Sequence, residues 1–280
     1  CTISAQMVGK LNKLERMLPE RLVVDSAWMN ENGYYNSLRA KYLAQGRLEQ
    51  PARRAYRRPR GPLTWEVVVL SLQTLLNYQA VLCGRTALEM QGLGHYLRRE
   101  TRTVHLSGPV KLPTWLNDLP LDVDFRQHNP AKLFEHWKYF ALRGGEPSSP
   151  SDPWAWGQAG VTEQTLGHWE DPLQLSTPER AVLELLDELP DHEGFEAVDK
   201  VFEGLANLSP RRLQLLLQDC KSVKVKRLFF FFADRHEHAW LKRLDRDPIG
   251  LGSGNRMLVR GGRLDPTYRI TVPETLDAVR

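Results

Sequence analysis

The sequence is poor in cysteine and has no long apolar run. Only three cysteines occur in 280 residues, Cys1, Cys83 and Cys220. An odd number of widely separated cysteines argues against a disulfide framework and fits a reducing compartment. Apolar runs such as Val67–Leu70 and Phe229–Ala233 are too short to cross a bilayer, and no segment has the pattern of a secretory signal. We therefore expect a cytoplasmic protein without a membrane partner.

Common catalytic and cofactor motifs are also missing. The sequence contains no Gly-x-Ser-x-Gly, His-Glu-x-x-His or Cys-x-x-Cys. The glycine-rich stretch Gly250–Asn255 precedes a strand-like segment rather than a helix, so it predicts a turn and not a phosphate loop. His236 and His238 are two residues apart on a predicted helix and face different directions, which makes a poor metal pair. The sequence therefore predicts no catalytic residue, no cofactor and no metal site.

Charge is unevenly distributed along the chain. Residues 1–60 carry twelve Lys and Arg residues against five Asp and Glu residues, a net charge of +7, while the other 220 residues carry 26 against 29. Six arginines lie between positions 47 and 60, with Glu49 the single acidic residue among them. A basic first fifth on a slightly acidic body indicates a module that binds a polyanion, and nucleic acid is the expected partner.

The first 62 residues have the element order of a winged helix. Apolar residues at helical spacing, capping residues and terminal glycines predict three helices, and two short strands follow. The predicted elements are helices at Gln6–Leu18, 26–33 and Tyr34–Gln45 and strands at Arg47–Glu49 and Ala55–Arg57. Three helices and a β-ribbon form a winged helix-turn-helix. We therefore expect a DNA-binding domain at residues 1–62.

Residues 63–280 predict a second domain of mixed α/β structure with a helical layer, so the expected fold class is α+β. We expect strands within 100–175, a loop at 144–160, helices within 177–241 and a closing hairpin within 256–273. The hairpin strands are predicted at Met257–Val259 and Tyr268–Val272. Ser176 and Glu179 predict a capping box, Thr86 predicts a helix N-cap, and Arg180 is expected to pair with a nearby acid.

Several short phrases, taken together and in order, resemble a known family. These phrases are Leu22–Trp28, Gly61–Glu66, Gly84–Glu89 with Gly92–Tyr96, Leu112–Leu116, Ser176–Ala181 with Glu184–Leu186, Val223–Phe229 and Gly261–Gly262. They resemble the AbiEi family, the antitoxins of type IV abortive-infection toxin–antitoxin systems. The resemblance extends from about Leu11 to Pro273.

The resemblance implies two activities. The N-terminal winged helix would bind inverted repeats of double-stranded DNA in its own promoter and repress transcription. The C-terminal domain would counter a cognate nucleotidyltransferase-like toxin, without requiring a stable complex with it. The sequence departs from the family in the wing, where Ala52 and Arg54 stand at positions often held by glycine. This departure implies a stiffer or differently shaped wing tip.

In such a domain the third helix enters the major groove. We expect Leu38, Tyr42 and Leu48 to hold this helix against the rest of the domain. The candidate DNA contacts are Asn36 and Arg39 for base edges, Lys41 and Arg47 for phosphates, Arg53 and Arg54 for a minor groove, and Arg57, Arg58 and Arg60 for phosphates that fix the register.

A second basic cluster has two possible interpretations. It comprises Arg211, Arg212, Lys221, Lys224, Lys226 and Arg227. These residues would either face the toxin or a nucleic acid, or only compensate the dipoles of nearby helix ends.

Two alternative functions stay open from the sequence. Asp122 and Asp124, on one face of a predicted strand, would suit a metal-dependent nucleotidyl transferase, although no upstream Gly-Ser turn and no third acid accompany them. The other alternative is a ligand-responsive winged-helix regulator unrelated to toxins.

Overall fold

The N-terminal elements of the computed structural model form a winged helix around a three-stranded sheet. The structure describes residues 2–94, 102–137, 160–167 and 171–276, so most of the predicted loop at 144–160 and part of the phrase Gly92–Tyr96 lie outside the described residues. The elements are α1 (Thr2–Met17), β1 (Val23–Asp25), α2 (Ser26–Glu31), α3 (Asn36–Ala44), β2 (Glu49–Ala52) and β3 (Ala55–Arg57). Strand β3 pairs antiparallel with both β1 and β2. The predicted winged helix-turn-helix is confirmed.

Local chemistry explains how the helix-turn-helix begins and turns. The Asp25 carboxylate accepts a 2.9 Å hydrogen bond from the backbone N–H of Trp28 and caps α2. Gly33 follows α2 with φ of 84°, a left-handed conformation that glycine adopts without steric cost. Tyr34 is buried and donates its hydroxyl to the carbonyl of Lys10 at 2.9 Å. The turn is therefore fixed against α1 before α3 begins.

Helix α4 (Trp65–Thr74) packs against the winged helix and the following sheet. Thr64 caps it by accepting from the N–H of Val67 at 3.5 Å. Its buried Ser71 hydroxyl accepts from the N–H of Val23 in β1 at 2.8 Å and donates to the carbonyl of Val67 at 2.7 Å. The bond from Val23 satisfies a backbone N–H group of β1 and connects the three-stranded sheet to α4.

A mixed five-stranded sheet forms the centre of the C-terminal part. Its elements and flanking helices are β4 (Val81–Leu82), α5 (Gly84–Met90), β5 (Thr103–Ser107), β6 (Asp124–His128), α6 (Pro130–Leu133), β7 (Val161–Gln164) and β8 (Leu173–Ser176). The strand order is β6-β5-β4-β8-β7, with parallel β5–β6 and β4–β8 pairs and antiparallel β4–β5 and β7–β8 pairs. Together with the helical layer, this sheet confirms the predicted mixed α/β architecture.

The helical layer comprises α7 (Pro178–Asp187), α8 (Phe195–Gly204), α9 (Pro210–Asp219) and α10 (Val223–His236). Helix α7 packs against α5, α9 and α10. The four consecutive phenylalanines of α10, Phe229–Phe232, are all fully buried, which explains how a helix accommodates so aromatic a run. The prediction that α10 continues to about Leu241 is wrong, because Glu237 takes a left-handed conformation with φ of 46° and ends it.

Two predicted helix caps are also wrong. The Ser176 hydroxyl is buried and has no hydrogen-bond partner, and Thr177 is the N-cap residue of α7. Glu179 instead bonds to the start of α9, where its carboxylate accepts from the N–H of Ser209 at 2.7 Å. Thr86 lies inside α5 rather than at its N-cap, and its hydroxyl accepts from the N–H of His105 at 3.0 Å. In both places a contact with a distant segment replaces the expected local one.

The closing hairpin is present but its first strand is displaced from the prediction. The paired strands are β9 (Arg263–Asp265) and β10 (Ile270–Val272). Met257–Val259 is not a strand, because the N–H groups of Leu258 and Val259 donate to the Thr271 hydroxyl at 2.7 and 2.9 Å instead of entering a ladder. Residues 250–255 form an irregular loop with a bend at Ser253 and Gly254 and do not lead into a helix, which agrees with the prediction that this stretch is not a phosphate loop.

Candidate nucleic-acid interface

Helix α3 is held on its inner side by buried residues and presents a polar outer side. Tyr42 and Leu48 are buried as predicted, and Leu38 packs against the core. Burial raises the pKa of the Tyr42 hydroxyl, which keeps the ring neutral at physiological pH. Asn36 and Lys41 are exposed on the same helix, and Arg47 is exposed just beyond it. These three predicted contacts are therefore accessible to a ligand.

Arg39 occupies a different position from the one predicted for a base-reading residue. Its side chain is buried, and its Nη1 atom donates to Asn30 Oδ1 at 2.5 Å and to the carbonyl of Tyr34 at 2.8 Å. Its Nη2 atom donates to Asn36 Oδ1 at 3.4 Å. The guanidinium is therefore engaged inside the helix-turn-helix, where it positions Asn36 rather than a DNA base.

Sequence reasoning missed Tyr35, which precedes α3 and is 64% exposed. The adjacent Tyr34 is buried, so one tyrosine of the pair packs inside and the other faces solvent. The carbonyl of Tyr35 accepts from the N–H groups of Leu38 and Arg39, both at 3.0 Å, which fixes it at the first turn of the helix. The Tyr-Tyr pair is visible in the sequence, but which member is buried depends on the turn geometry.

The wing tip presents two arginines to solvent. Arg53 and Arg54 are exposed at the turn between β2 and β3. Arg54 has φ of 71°, a left-handed conformation that glycine adopts most readily. The carbonyl of Arg54 accepts from the N–H of Ser26 at 2.9 Å and ties the tip to the start of α2. The wing tip is thus a fixed, cationic turn.

The three arginines after the wing differ in accessibility. Arg57 is 4% exposed and donates to the carbonyls of Arg58, Arg60 and Gly61, so its predicted role as a phosphate contact does not fit the structure. Arg58 is partly buried and pairs with Glu20 at 3.2 Å. Arg60 is exposed and shares the same carboxylate at 3.1 Å. Only Arg60 presents most of its side chain to solvent.

The second basic cluster is mostly engaged within the protein. Arg227 is 2% exposed, donates to the carbonyls of Leu251 and Gly254 at 2.7 Å, and its pKa is lowered by burial. Three more of these side chains donate hydrogen bonds within the protein. Lys224 donates to the carbonyls of Asp187 and Leu189, Arg212 donates to the carboxylate of Glu179, and Lys221 donates to the carbonyl of Ala131. Lys226 is buried, and Arg211 is exposed. The cluster therefore holds loops and helices together and forms no single exposed face.

The carboxylates of the alternative enzyme hypothesis are exposed and do not share the strand. Asp124 is the first residue of β6, and Asp122 lies before the strand begins. Within the described residues, the one group of side chains with metal-ligand geometry lies elsewhere and contains neither of them. No helix in the described part of the chain is long and apolar enough to span a membrane.

Comparisons with known proteins point to one family along most of the chain. Residues 7–99 match the model described as the N-terminal domain of the AbiEi antitoxin transcriptional regulators, and residues 148–273 match the model of the AbiEi antitoxin transcriptional regulators of type IV toxin–antitoxin systems. None of the curated proteins compared with the chain matches it. A crystal structure of the RV2827C protein from Mycobacterium tuberculosis is similar in fold, with a TM-score of 0.53 and 16% identity over 93% of this chain and 88% of that one.

Proposed function

This chain belongs to the AbiEi family of antitoxin transcriptional regulators from type IV toxin–antitoxin systems, and on that premise we propose that it represses its own operon by binding promoter DNA through residues 1–62. The observation that carries the proposal is the set of exposed polar and cationic side chains on α3 and the wing tip of a winged helix. A domain of this kind places its third helix in the major groove and its wing beside it.

The proposed interface is smaller than the sequence alone indicates. Asn36 reads a base edge, with adenine as the preferred partner of its amide, and Tyr35 contacts the neighbouring backbone or a thymine methyl. The cationic contacts are Lys41, Arg47, Arg53, Arg54 and Arg60. Arg39 and Arg57 are positioning residues in this proposal, because their guanidinium groups already hold the protein's own carbonyl and amide oxygens. Arg58 lies at the edge of the interface.

Binding to inverted repeats requires two copies of the chain on one operator, each reading one half-site. Five cationic contacts per copy predict that the logarithm of affinity for a half-site falls with the logarithm of salt concentration at a slope of about −4.5. We expect a retarded complex with the DNA upstream of the protein's own gene and a weaker one with a shuffled duplex of equal length. Equal affinity for both duplexes at physiological salt would contradict sequence-specific repression.

The second part of the proposal is that residues 63–280 counter a nucleotidyltransferase-like toxin encoded next to this gene. The family assignment supports this activity, and type IV antagonism does not require a stable complex. The test is co-expression of both proteins, each from an unrelated promoter, so that repression of the native operon plays no part. We expect the full chain to restore growth, including a variant whose wing arginines are replaced. Loss of rescue in that variant would show that DNA binding, not a separate activity, protects the cell.

A further inference from the structure

Three side chains that are far apart in sequence meet at the edge of the five-stranded sheet. His105 lies on β5, His128 ends β6, and Glu188 directly follows α7. One potential ligand atom from each lies within 4.8 Å of the other two. His105 Nδ1 is 2.9 Å from His128 Nε2, and His128 Nδ1 is 3.4 Å from Glu188 Oε1. No motif in the sequence joins positions separated by 23 and 60 residues.

The two imidazole rings face each other edge to edge. Their planes differ by 11° and their centroids are 5.1 Å apart, while the facing nitrogens are only 2.9 Å apart. In two neutral rings one of these nitrogens donates a proton and the other accepts it. A metal ion that takes the place of this shared proton would find both nitrogen lone pairs directed at the same small volume. Metal binding to histidine commonly releases a proton in this way.

The cluster borders a small polar cleft of about 190 Å³. Its lining includes Ser107, His128, Glu184, Asp187 and Glu188. A volume of this size holds about six water molecules, whereas pockets for drug-sized organic ligands begin at about 300 Å³. The cleft therefore suits a hydrated ion better than an organic molecule. Of its three carboxylates, Glu184 pairs with Arg180 and Asp187 with Lys224, and Lys132 also lines the cleft, so Glu188 is the carboxylate that faces the histidines.

An arginine orients the carboxylate of the cluster. Arg126 Nη1 donates to Glu188 Oε2 at 3.1 Å and leaves Oε1 directed toward His128. Outer contacts of this type fix the orientation of metal ligands. The positive charge of Arg126 opposes a second cation, but it pairs with Oε2, whereas Oε1 is the oxygen that pairs with His128. To bind an ion between the two imidazole rings, Glu188 Oε1 must leave Nδ1 of His128 and turn toward Nε2, while Oε2 keeps its bond to Arg126.

We propose that His105, His128 and Glu188 bind one zinc ion, with a water molecule from the cleft as the fourth ligand. Two histidines and one glutamate are an established zinc ligand set, with metal–nitrogen distances of about 2.0–2.1 Å. Tetrahedral coordination at those distances requires the two nitrogens to move to about 3.3 Å apart, a small widening of the present 2.9 Å. The ion would join β5, β6 and the end of α7, and none of its ligands is a residue proposed to contact DNA.

The test is zinc titration of the full chain, free of affinity tags and treated with a chelator, followed by isothermal calorimetry. We expect one zinc ion per chain. Glu188→Gln and His128→Gln should each weaken binding at least about tenfold. His136→Gln, which removes a histidine outside the cluster, should leave the affinity unchanged. Circular dichroism verifies that each variant is folded.

A second measurement keeps the test decisive if a variant fails to fold. Cobalt(II) added to the unsubstituted chain should give the intense visible bands of a four-coordinate ion, and zinc should abolish them. The proposal is overturned if the unsubstituted chain binds no stoichiometric zinc, or if the folded variants bind zinc as tightly as it does. It is also overturned if cobalt(II) shows only the weak spectrum of its six-coordinate aqua complex. None of these outcomes bears on DNA binding, so the two proposals fail independently.

Discussion

The guanidinium carbon of Arg39 lies 5.3 Å from the centre of the Tyr56 ring, so helix α3 is linked to strand β3 of the wing by a cation–π contact. The same guanidinium holds Asn30 and the carbonyl of Tyr34. One buried arginine therefore connects both helices of the helix-turn-helix to the wing, and fixes the angle at which α3 is presented.

The first prediction separates this internal role from DNA reading. Arg39→Ala should lower the free energy of unfolding by about 2–4 kcal/mol, because it leaves the buried carbonyl of Tyr34 without its donor and removes the contacts with Asn30 and the Tyr56 ring. Asn36→Ala should change stability by less than about 0.5 kcal/mol but weaken preference for its base by about 1–3 kcal/mol. Urea unfolding and binding to single-base operator variants measure the two effects. If Arg39→Ala instead has normal stability and loses base preference, then Arg39 contacts DNA directly.

The second prediction concerns the start of α7. Glu179 accepts from the N–H of Ser209 at 2.7 Å and from Arg212 Nη1 at 2.9 Å, whereas the buried Ser176 hydroxyl has no partner. Glu179→Ala should therefore cost about 2–3 kcal/mol of stability, and Ser176→Ala should cost less than about 0.5 kcal/mol. Thermal and urea unfolding of the two variants measures the difference. Similar losses in both would instead support the reciprocal capping box.

The third prediction is a pH dependence. Burial alone would raise the pKa of Asp199, but hydrogen bonds from His236 and Arg235 outweigh it and lower the pKa to about 2. Because the folded pKa lies below the unfolded value of about 3.9, the stabilisation is present above pH 4 and is lost as the pH falls toward 2. It amounts to about 2 kcal/mol at neutral pH.

Asp199→Asn should therefore lose about 2 kcal/mol at pH 7, and its difference from the unsubstituted chain should shrink as the pH falls from 4. Urea unfolding at a series of pH values measures this. Asp191→Asn, which changes an exposed carboxylate, serves as the control and should follow the unsubstituted chain. A loss that is the same at pH 7 and pH 3 would mean that packing, rather than charge, accounts for the effect.

Local signals predicted the fold better than they predicted the roles of charged residues. Asp25, Thr64, Ser209 and Ser222 each accept a hydrogen bond from a backbone N–H two or three residues into the helix that follows, and such caps can be recognised within a few residues of sequence. The burial of Arg39 and Arg57 cannot be predicted in this way, because a run of arginines does not indicate which guanidinium groups bond to carbonyls within the protein.

Contacts between distant segments are the part that the sequence does not show. Glu179 bonds to Ser209, 30 residues later, and His105 meets Glu188 across 83 positions. Such pairs depend on the order of strands in the sheet and on which helix packs over it, so they follow from the tertiary fold and not from spacing. The zinc ligands proposed above belong to this class.

The most direct test of the central claim is the salt dependence of operator binding by an Arg53→Ala, Arg54→Ala double variant. If the wing tip contacts DNA, affinity should fall at least about tenfold and the log–log salt slope should become less steep by about 1.8 per half-site. A Lys242→Ala, Arg243→Ala variant removes two exposed charges far along the chain and should match the unsubstituted protein. An unchanged slope and affinity in the wing variant would contradict the proposed mode of DNA binding.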